Sequence, residues 1–242
     1  MIADSNARDP LMVDRLSARL GDFKLDAISF NIEPGRVTAL LGHNGAGKTT
    51  TFRLIMGIVR KDFGHVSLGG LDHVRNEKEF KRRIGFVQEE GFFYNAMTVA
   101  EFVAFVSCFY SNWNKELSER LLRTFDLPRH KKLAQLSKGM RMKVSLVVAL
   151  SHEPSVLLLD EPTSGLDPRA RVETLRLLQS VAHEGGTAVL FSTHNLHEVD
   201  QIADRMIVVD RGRVLADESL AALRCRTGSS WSLEQYYLEL VQ

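Results

Sequence analysis

The apolar positions change period along the chain, and the changes divide it into segments. Residues 24–32 alternate apolar and polar, as a half-buried strand does, and Glu33-Pro34-Gly35-Arg36 after them reads as a turn. Val37–Leu41 is a short, mainly apolar run that stops at a glycine, the pattern of a strand buried on both faces. A helix is predicted from inside the following glycine-rich loop to about residue 56, then strands at 66–68 and 84–87 with a charged helix between them. From about 89 to 151 the rhythm turns helical, with i, i+3, i+4 spacing over 98–110 and 116–125 and a third helix over 138–150. Strand and helix then alternate again. Residues 156–159 and 187–191 read as buried strands and 205–210 as strand-like, separated by helices at 168–182, with Pro168 in its first turn, and 195–203. Two short helical patterns near 218–225 and 232–240 close the tail, and residues 1–10 read as a loose arm. The order predicts an α/β fold, a parallel-sheet core interrupted by a helical lobe.

Composition narrows the class. The chain has 242 residues, 44% hydrophobic and 25% charged, the balance of a soluble globular protein with a sizeable core. A net charge of +1 gives no reason to expect nucleic acid or an anionic membrane surface as a partner. Basic clusters at 78–83 and 129–132 read as solvated faces. Cys108 and Cys225 lie far apart without a CxxC pattern, so neither a disulfide framework nor a metal site is expected, in keeping with a reducing cytoplasm. Residues 1–10 lack the apolar stretch of a signal peptide. The most apolar candidate span, 98–110, is too short and carries Glu101, so the chain is not expected to cross a membrane by itself.

The chemistry sits between the strands. Gly42-His43-Asn44-Gly45-Ala46-Gly47-Lys48-Thr49-Thr50 fits G-x-x-x-x-G-K-[ST] between a predicted strand and helix, the Walker A loop of a P-loop NTPase. Its glycines let backbone N–H groups turn toward a β-phosphate at the positive end of the helix. Lys48 would contact the β- and γ-phosphates and the Thr49 hydroxyl would bind Mg²⁺; His43 reads as exposed. Val156-Leu157-Leu158-Leu159 would deliver Asp160 and Glu161 beside this loop, Asp160 to hold Mg²⁺ through its water shell and Glu161 to polarise the attacking water. The pair His194 and His197 invites a metal reading, but no third ligand with suitable spacing is nearby.

Leu136-Ser137-Lys138-Gly139-Met140 precedes a predicted helix and resembles the signature sequence of ATP-binding-cassette (ABC) ATPases, usually Leu-Ser-Gly-Gly-Gln. The family's other elements follow in order: Gln88 after the strand at 84–87, Ser164-Gly165-Leu166-Asp167 after the acids, and His194 after 189–192. The resemblance covers about residues 11–216. It implies a P-loop NTPase core with a predominantly parallel sheet, an N-terminal antiparallel β portion, an inserted helical subdomain at about 89–151 and a short helical tail at about 217–242. It also implies a cytoplasmic ATPase held at the inner face of the membrane by a separate transmembrane permease, dimerising with itself or another ABC ATPase. Each ATP would lie between one subunit's Walker A loop and the other's Ser137 and Gly139, with Asp167 tying the two sites together. His194 would meet the γ-phosphate and orient water with Glu161, and Gln88 would touch Mg²⁺ or water. The segment Gly91-Phe92-Phe93-Tyr94-Asn95 with Met97 would cradle a short helix of the permease.

Two departures stand out. Lys138 and Met140 replace the first glycine and the glutamine of the signature, a variant that looks like the bacterial branch of drug, lantibiotic and acetoin-related exporters. The tyrosine that usually stacks on adenine aligns with Leu20; losing such a stack costs about 1–3 kcal/mol, less if Leu20 or Phe23 replaces the contact. Other readings are a soluble ABC ATPase acting on ribosomes or DNA, a non-hydrolysing regulatory module, and an importer ATPase. The single cassette, the absence of a coiled-coil arm in 89–135, the intact Glu161 and His194, and the short tail argue against them in turn.

Overall fold

The computed structural model describes residues 9–89, 93–227 and 232–241. All but the last two residues of the loose arm read over 1–10 lie outside the described residues, as do Gly91 and Phe92. The chain runs β1 (Leu11–Leu20), β2 (Phe23–Ile32), β3 (Val37–Leu41), α1 (Lys48–Ile55), β4 (Phe63–Leu68), β5 (Leu71–Asp72), α2 (Glu77–Arg82) and β6 (Ile84–Val87). A helical segment follows, with α3 (Val99–Ser107), α4 (Lys115–Thr124), a 3₁₀ turn at Leu133–Gln135 and α5 (Lys138–Leu150). Then come β7 (Val156–Leu159), α6 (Pro168–His183), β8 (Ala188–Thr193), α7 (Leu196–Ile202), β9 (Arg205–Asp210), β10 (Arg213–Ser219), α8 (Leu220–Thr227) and α9 (Leu233–Val241).

Two sheets form. The N-terminal one is antiparallel in the order β2-β1-β4-β5, and the larger runs β10-β9-β3-β8-β7-β6, parallel except for its β9–β10 edge. Every residue of β3, β7 and β8 is buried, the polar Thr38, Ser192 and Thr193 included, as in central parallel strands covered on both faces. One apolar cluster fills the space between the parallel sheet and α5, α6 and the helical segment; a second packs the other face against α1 and the antiparallel sheet. α1 is therefore sandwiched between sheets, and the loop before it is held from both sides.

β1 was absent from the predicted strands. Its alternation is broken by register shifts between Val13 and Leu16 and again before Ala18, with Arg15 at φ 44°, so polar Asp14 and Arg15 fall together where a regular strand would hide one side chain. β10 was missed for another reason: it is an edge strand whose alternate residues are at best half-buried, with little apolar signal.

The helical segment is anchored by polar groups. Thr98 and Glu101 close α3 with reciprocal bonds, Thr98 Oγ1 accepting from Glu101 N at 3.2 Å and Glu101 accepting from Thr98 N at 2.8 Å. The acid that disqualified this stretch as a membrane span is thus its cap. Asn114 caps α4, and its N–H donates to Ser151 O at 2.7 Å, while Tyr110 stacks on buried His152 with ring centroids 4.1 Å apart. These contacts fasten the connection between α3 and α4 to the turn that follows α5. Among the described residues no helix is long and apolar enough to cross a membrane.

Candidate functional site

The parallel register sets the site. Val87 pairs with Leu159 and Leu159 with Phe191, so Gln88 after β6, Asp160 after β7 and the last residues of β8, Ser192 and Thr193, stand together at one carboxyl edge of the sheet. Loops at such an edge are where α/β folds bind ligands. The glycine loop leaves β3 beside them and turns into α1 at Gly47, whose φ is 113° and where an added Cβ would stand 2.9 Å from the Phe23 ring. Only glycine meets both demands. No side chain caps α1, so its first N–H groups stay available to an anion.

Lys48 folds back over the loop. Its buried Nζ donates to Gly42 O at 2.7 Å and His43 O at 3.2 Å, and lies 3.2 Å from Glu161 Oε1. That oxygen is buried and has no partner with hydrogen-bond geometry, so its approach to Lys48 is an ion-pair contact only. Glu161 itself sits at φ 47°, a conformation that costs a non-glycine residue about 1–3 kcal/mol and turns its carboxylate into the site. Its other oxygen is 3.1 Å from His194 Nδ1. Lys48, Glu161 and His194 thus form one chain of contacts across the loop's mouth.

Ser192, unmentioned in the motifs, holds the acids in place. Its hydroxyl donates to Asp160 Oδ1 at 2.7 Å and accepts from Glu161 N at 2.9 Å. Glu198 does similar work nearby: buried, it accepts from Thr163 Oγ1 and Thr193 Oγ1, both at 2.7 Å, and so ties the stretch after Glu161 to the strand end bearing His194. Hydroxyls one helical turn or one strand away carry no motif, which is why residue patterns passed them over.

A cavity of about 430 Å³ opens over the loop, bordered by Lys48, Thr49, Glu89, Glu161, Leu20 and Phe23. Both candidates for adenine contact therefore face it. A smaller hollow beside it gathers Thr49, Gln88, Glu89 and Asp160. Glu89 reaches both cavities, whereas Gln88 reaches only the second. Ala46 is buried, and the side chain of His43 leaves the cavity to meet Asp210, Nε2 to Oδ1 2.6 Å. His43 is exposed, as expected, and its ring is engaged because the neighbouring end of β9 offers a carboxylate.

Ser137, Gly139 and Asp167 lie elsewhere, bordering a separate hollow of about 420 Å³ that shares no residue with the Lys48 cavity. Ser137 caps α5, accepting from Met140 N at 3.2 Å, and Asp167 caps α6 through Arg169 N and Ala170 N, both at 3.0 Å. The backbone N–H of Ala170 first, then that of Arg169, hold the Asp167 carboxyl below its ordinary range.

The residues fit a nucleotide and a magnesium ion. The glycine bend, the uncapped helix start and the buried cation suit phosphate, and the Glu161 oxygen facing Lys48 has unused hydrogen-bonding capacity. No group of three His, Cys, Asp or Glu side chains among the described residues could cage a metal. The oxygen set of Thr49, Gln88, Glu89 and Asp160 instead suits a hard cation that completes its shell with phosphate and water.

A family profile described as "ABC transporter" matches residues 25–164, more than half of the chain, and one described as "AAA domain, putative AbiEii toxin, Type IV TA system" matches 132–200. The daunorubicin resistance ATP-binding protein DrrA3 of Streptomyces coeruleorubidus is 37% identical over 90% of this chain and 71% of its own length. The bacitracin transport ATP-binding protein BcrA of Bacillus licheniformis is 33% identical over 80% of this chain and 64% of its own length. An uncharacterised ABC transporter ATP-binding protein of Synechocystis is 35% identical over 81% of this chain, which spans only 57% of it. A solved structure titled as the ATP-binding subunit of an ABC transporter superposes with a TM-score of 0.86 at 30% identity, over 96% of this chain and 99% of that one.

Proposed function

This chain belongs to the ABC transporter family as an ATP-binding domain, and from that premise we propose that it is the ATP-hydrolysing subunit of a membrane exporter, working as a head-to-tail dimer beneath separate transmembrane subunits. The observation that carries the reading is the chain of contacts from Lys48 through Glu161 to His194, set across a glycine loop at the edge of a parallel sheet.

Each residue's part follows from its place. Lys48 holds the β- and γ-phosphates, trading its carbonyl and carboxylate partners for phosphate oxygens. Thr49, Gln88 and Asp160 hold Mg²⁺, which neutralises charge on the phosphates. Glu161 orients and polarises the attacking water, and His194, exposed on its far side, fixes the Glu161 carboxylate and meets the γ-phosphate. Ser192 keeps Asp160 and Glu161 in register, so both acids move only with the strand. Gly42, Asn44, Gly45, Ala46, Gly47 and Thr50 shape the cradle with their backbone.

The separate hollow of Ser137, Gly139 and Asp167 supports dimerisation. The α5 N-terminus is an anion site that does not serve its own subunit's loop, so it is completed by a second subunit's nucleotide. The relatives named for daunorubicin resistance and bacitracin transport favour an exporter. For the permease, a groove of about 500 Å³ bordered by Gln88, Phe93, Leu136, Arg141 and Met142 adjoins the site and suits a short docking helix. Co-expression with the polytopic membrane protein of a neighbouring reading frame tests the assembly. The proposal predicts a purified complex that hydrolyses ATP; co-purification with ribosomes or DNA instead contradicts it.

A further inference from the structure

Lys138 does not stay at the α5 anion site where its signature position would leave it. Its side chain runs across to the stretch after Glu161, with Nζ 3.3 Å from Ser164 Oγ and 3.8 Å from Glu89 Oε1. Ser164 in turn donates to Glu89 Oε1 at 2.6 Å. The lysine stem lies over Gly165, where an added Cβ would stand 3.1 Å from both Cδ and Nζ. Three segments meet here within one subunit: the exit of β6, the start of α5, and the stretch leading to Asp167. Glu89 also borders the Lys48 cavity and the hollow of Thr49 and Asp160, so the carboxylate beside Lys138 also lines the place where a nucleotide's cation would sit.

We propose that Lys138 is a positioning residue that competes with the nucleotide's magnesium ion for the Glu89 carboxylate. The inference rests on the ATP-binding reading and adds a chain-specific link to it. Lys138 and Glu89 are 46% and 42% exposed, so the pair is solvent-screened and shifts an equilibrium only a few-fold. A divalent ion already held by phosphate, Thr49 and Asp160 outcompetes such a partner. When Glu89 turns to the ion, Ser164 loses its acceptor and Lys138 its carboxylate, which frees the stretch carrying Asp167 and the start of α5. Loading of the Lys48 cavity is thereby reported to both elements of the dimer-facing hollow. Lysine supplies what glycine in that position cannot: a long stem and a charge that is removable without disturbing the core.

The test is titration of the full chain with a fluorescent ATP analogue, once with excess magnesium and once with EDTA. Lys138→Met and Lys138→Gln should each tighten binding about two- to five-fold in magnesium and leave it unchanged in EDTA. In a Glu89→Gln background the same substitutions should change nothing in either condition, and Lys138→Arg should behave as the parent. An equal change with and without magnesium, a change that persists in Glu89→Gln, or no change at all overturns the proposal. A parent chain that fails to bind the analogue in either condition contradicts the ATP reading itself, which separates the two failures.

Discussion

Lys48 and Glu161 face each other at 3.2 Å, and both side chains are at most a tenth exposed. Each charge therefore compensates the other at the border of the cavity, with His194 as the second partner of Glu161. Lys48→Ala should weaken ATP binding by about two orders of magnitude, since charge-assisted bonds to two phosphates are lost. It should also lower stability by about 1–3 kcal/mol, because Glu161 is left with a buried, uncompensated charge. Chemical denaturation checks this: the Lys48→Ala/Glu161→Gln double variant should recover most of the loss, and failure to recover would show that the two charges are independent.

How much of this was legible beforehand follows from the kind of signal each residue leaves. The glycine loop, Asp160 and Glu161 announce themselves because backbone geometry and a fully buried strand demand fixed residue types at fixed spacing. The structure gathers them where the motifs pointed. Gln88 was readable from its position after β6, but Glu89 was not, because which of two adjacent polar residues turns into a cavity depends on how the strand ends. Ser192 and Glu198 act through contacts 30 or more residues away, Glu161 N to Ser192 and Thr163 to Glu198, and such pairs exist only once the sheet is assembled. β1 escaped because a bulge spoils its alternation.

Ser137→Arg places bulk and charge in the hollow of Gly139 and Asp167, away from Lys48. ATP affinity of the isolated subunit should stay within about two-fold of the parent. Hydrolysis, which in the proposed dimer uses the partner's helix start, should fall by about 10²-fold or more. Affinity measured by titration beside steady-state hydrolysis makes the comparison. A loss of affinity as deep as that of Lys48→Ala would place Ser137 in its own subunit's site.

Tyr94, Phe105 and Phe109 form an exposed aromatic ridge, each ring edge-on to the next at 5.3 and 5.2 Å, whereas Phe93 turns inward against Phe102. Tyr94→Glu and Phe109→Glu should therefore change stability by no more than about 0.5–1 kcal/mol and leave ATP binding intact. Co-purification with the transmembrane subunit should drop severely. Collapse of the isolated subunit would show instead that the ridge is core, and undiminished co-purification would move the docking surface elsewhere.

His152 and His73 are both held below the usual imidazole value, in each case chiefly because burial disfavours the charged ring. The folded state then binds fewer protons than the unfolded chain as pH falls. Their contribution is full above about pH 6.5 and is lost progressively below it. Urea unfolding at about pH 7.5 and about pH 5.5 should show lower stability at the acid value, with the gap narrowed by His152→Phe, which keeps a ring against Tyr110. A gap unchanged by that substitution would assign the acid sensitivity to other groups.

In the proposed mechanism Glu161 activates water while Lys48 and the loop bind the nucleotide. Glu161→Gln removes the charge and keeps the shape, so it separates the two. The direct measurement is Mg-ATP hydrolysis by this variant, with nucleotide affinity and oligomeric mass determined on the same sample. The account predicts hydrolysis slowed by about 10²–10⁴-fold, affinity retained, and ATP-bound dimers accumulating because the nucleotide at their interface persists. Hydrolysis at the parent rate, or affinity lost together with hydrolysis, would contradict it.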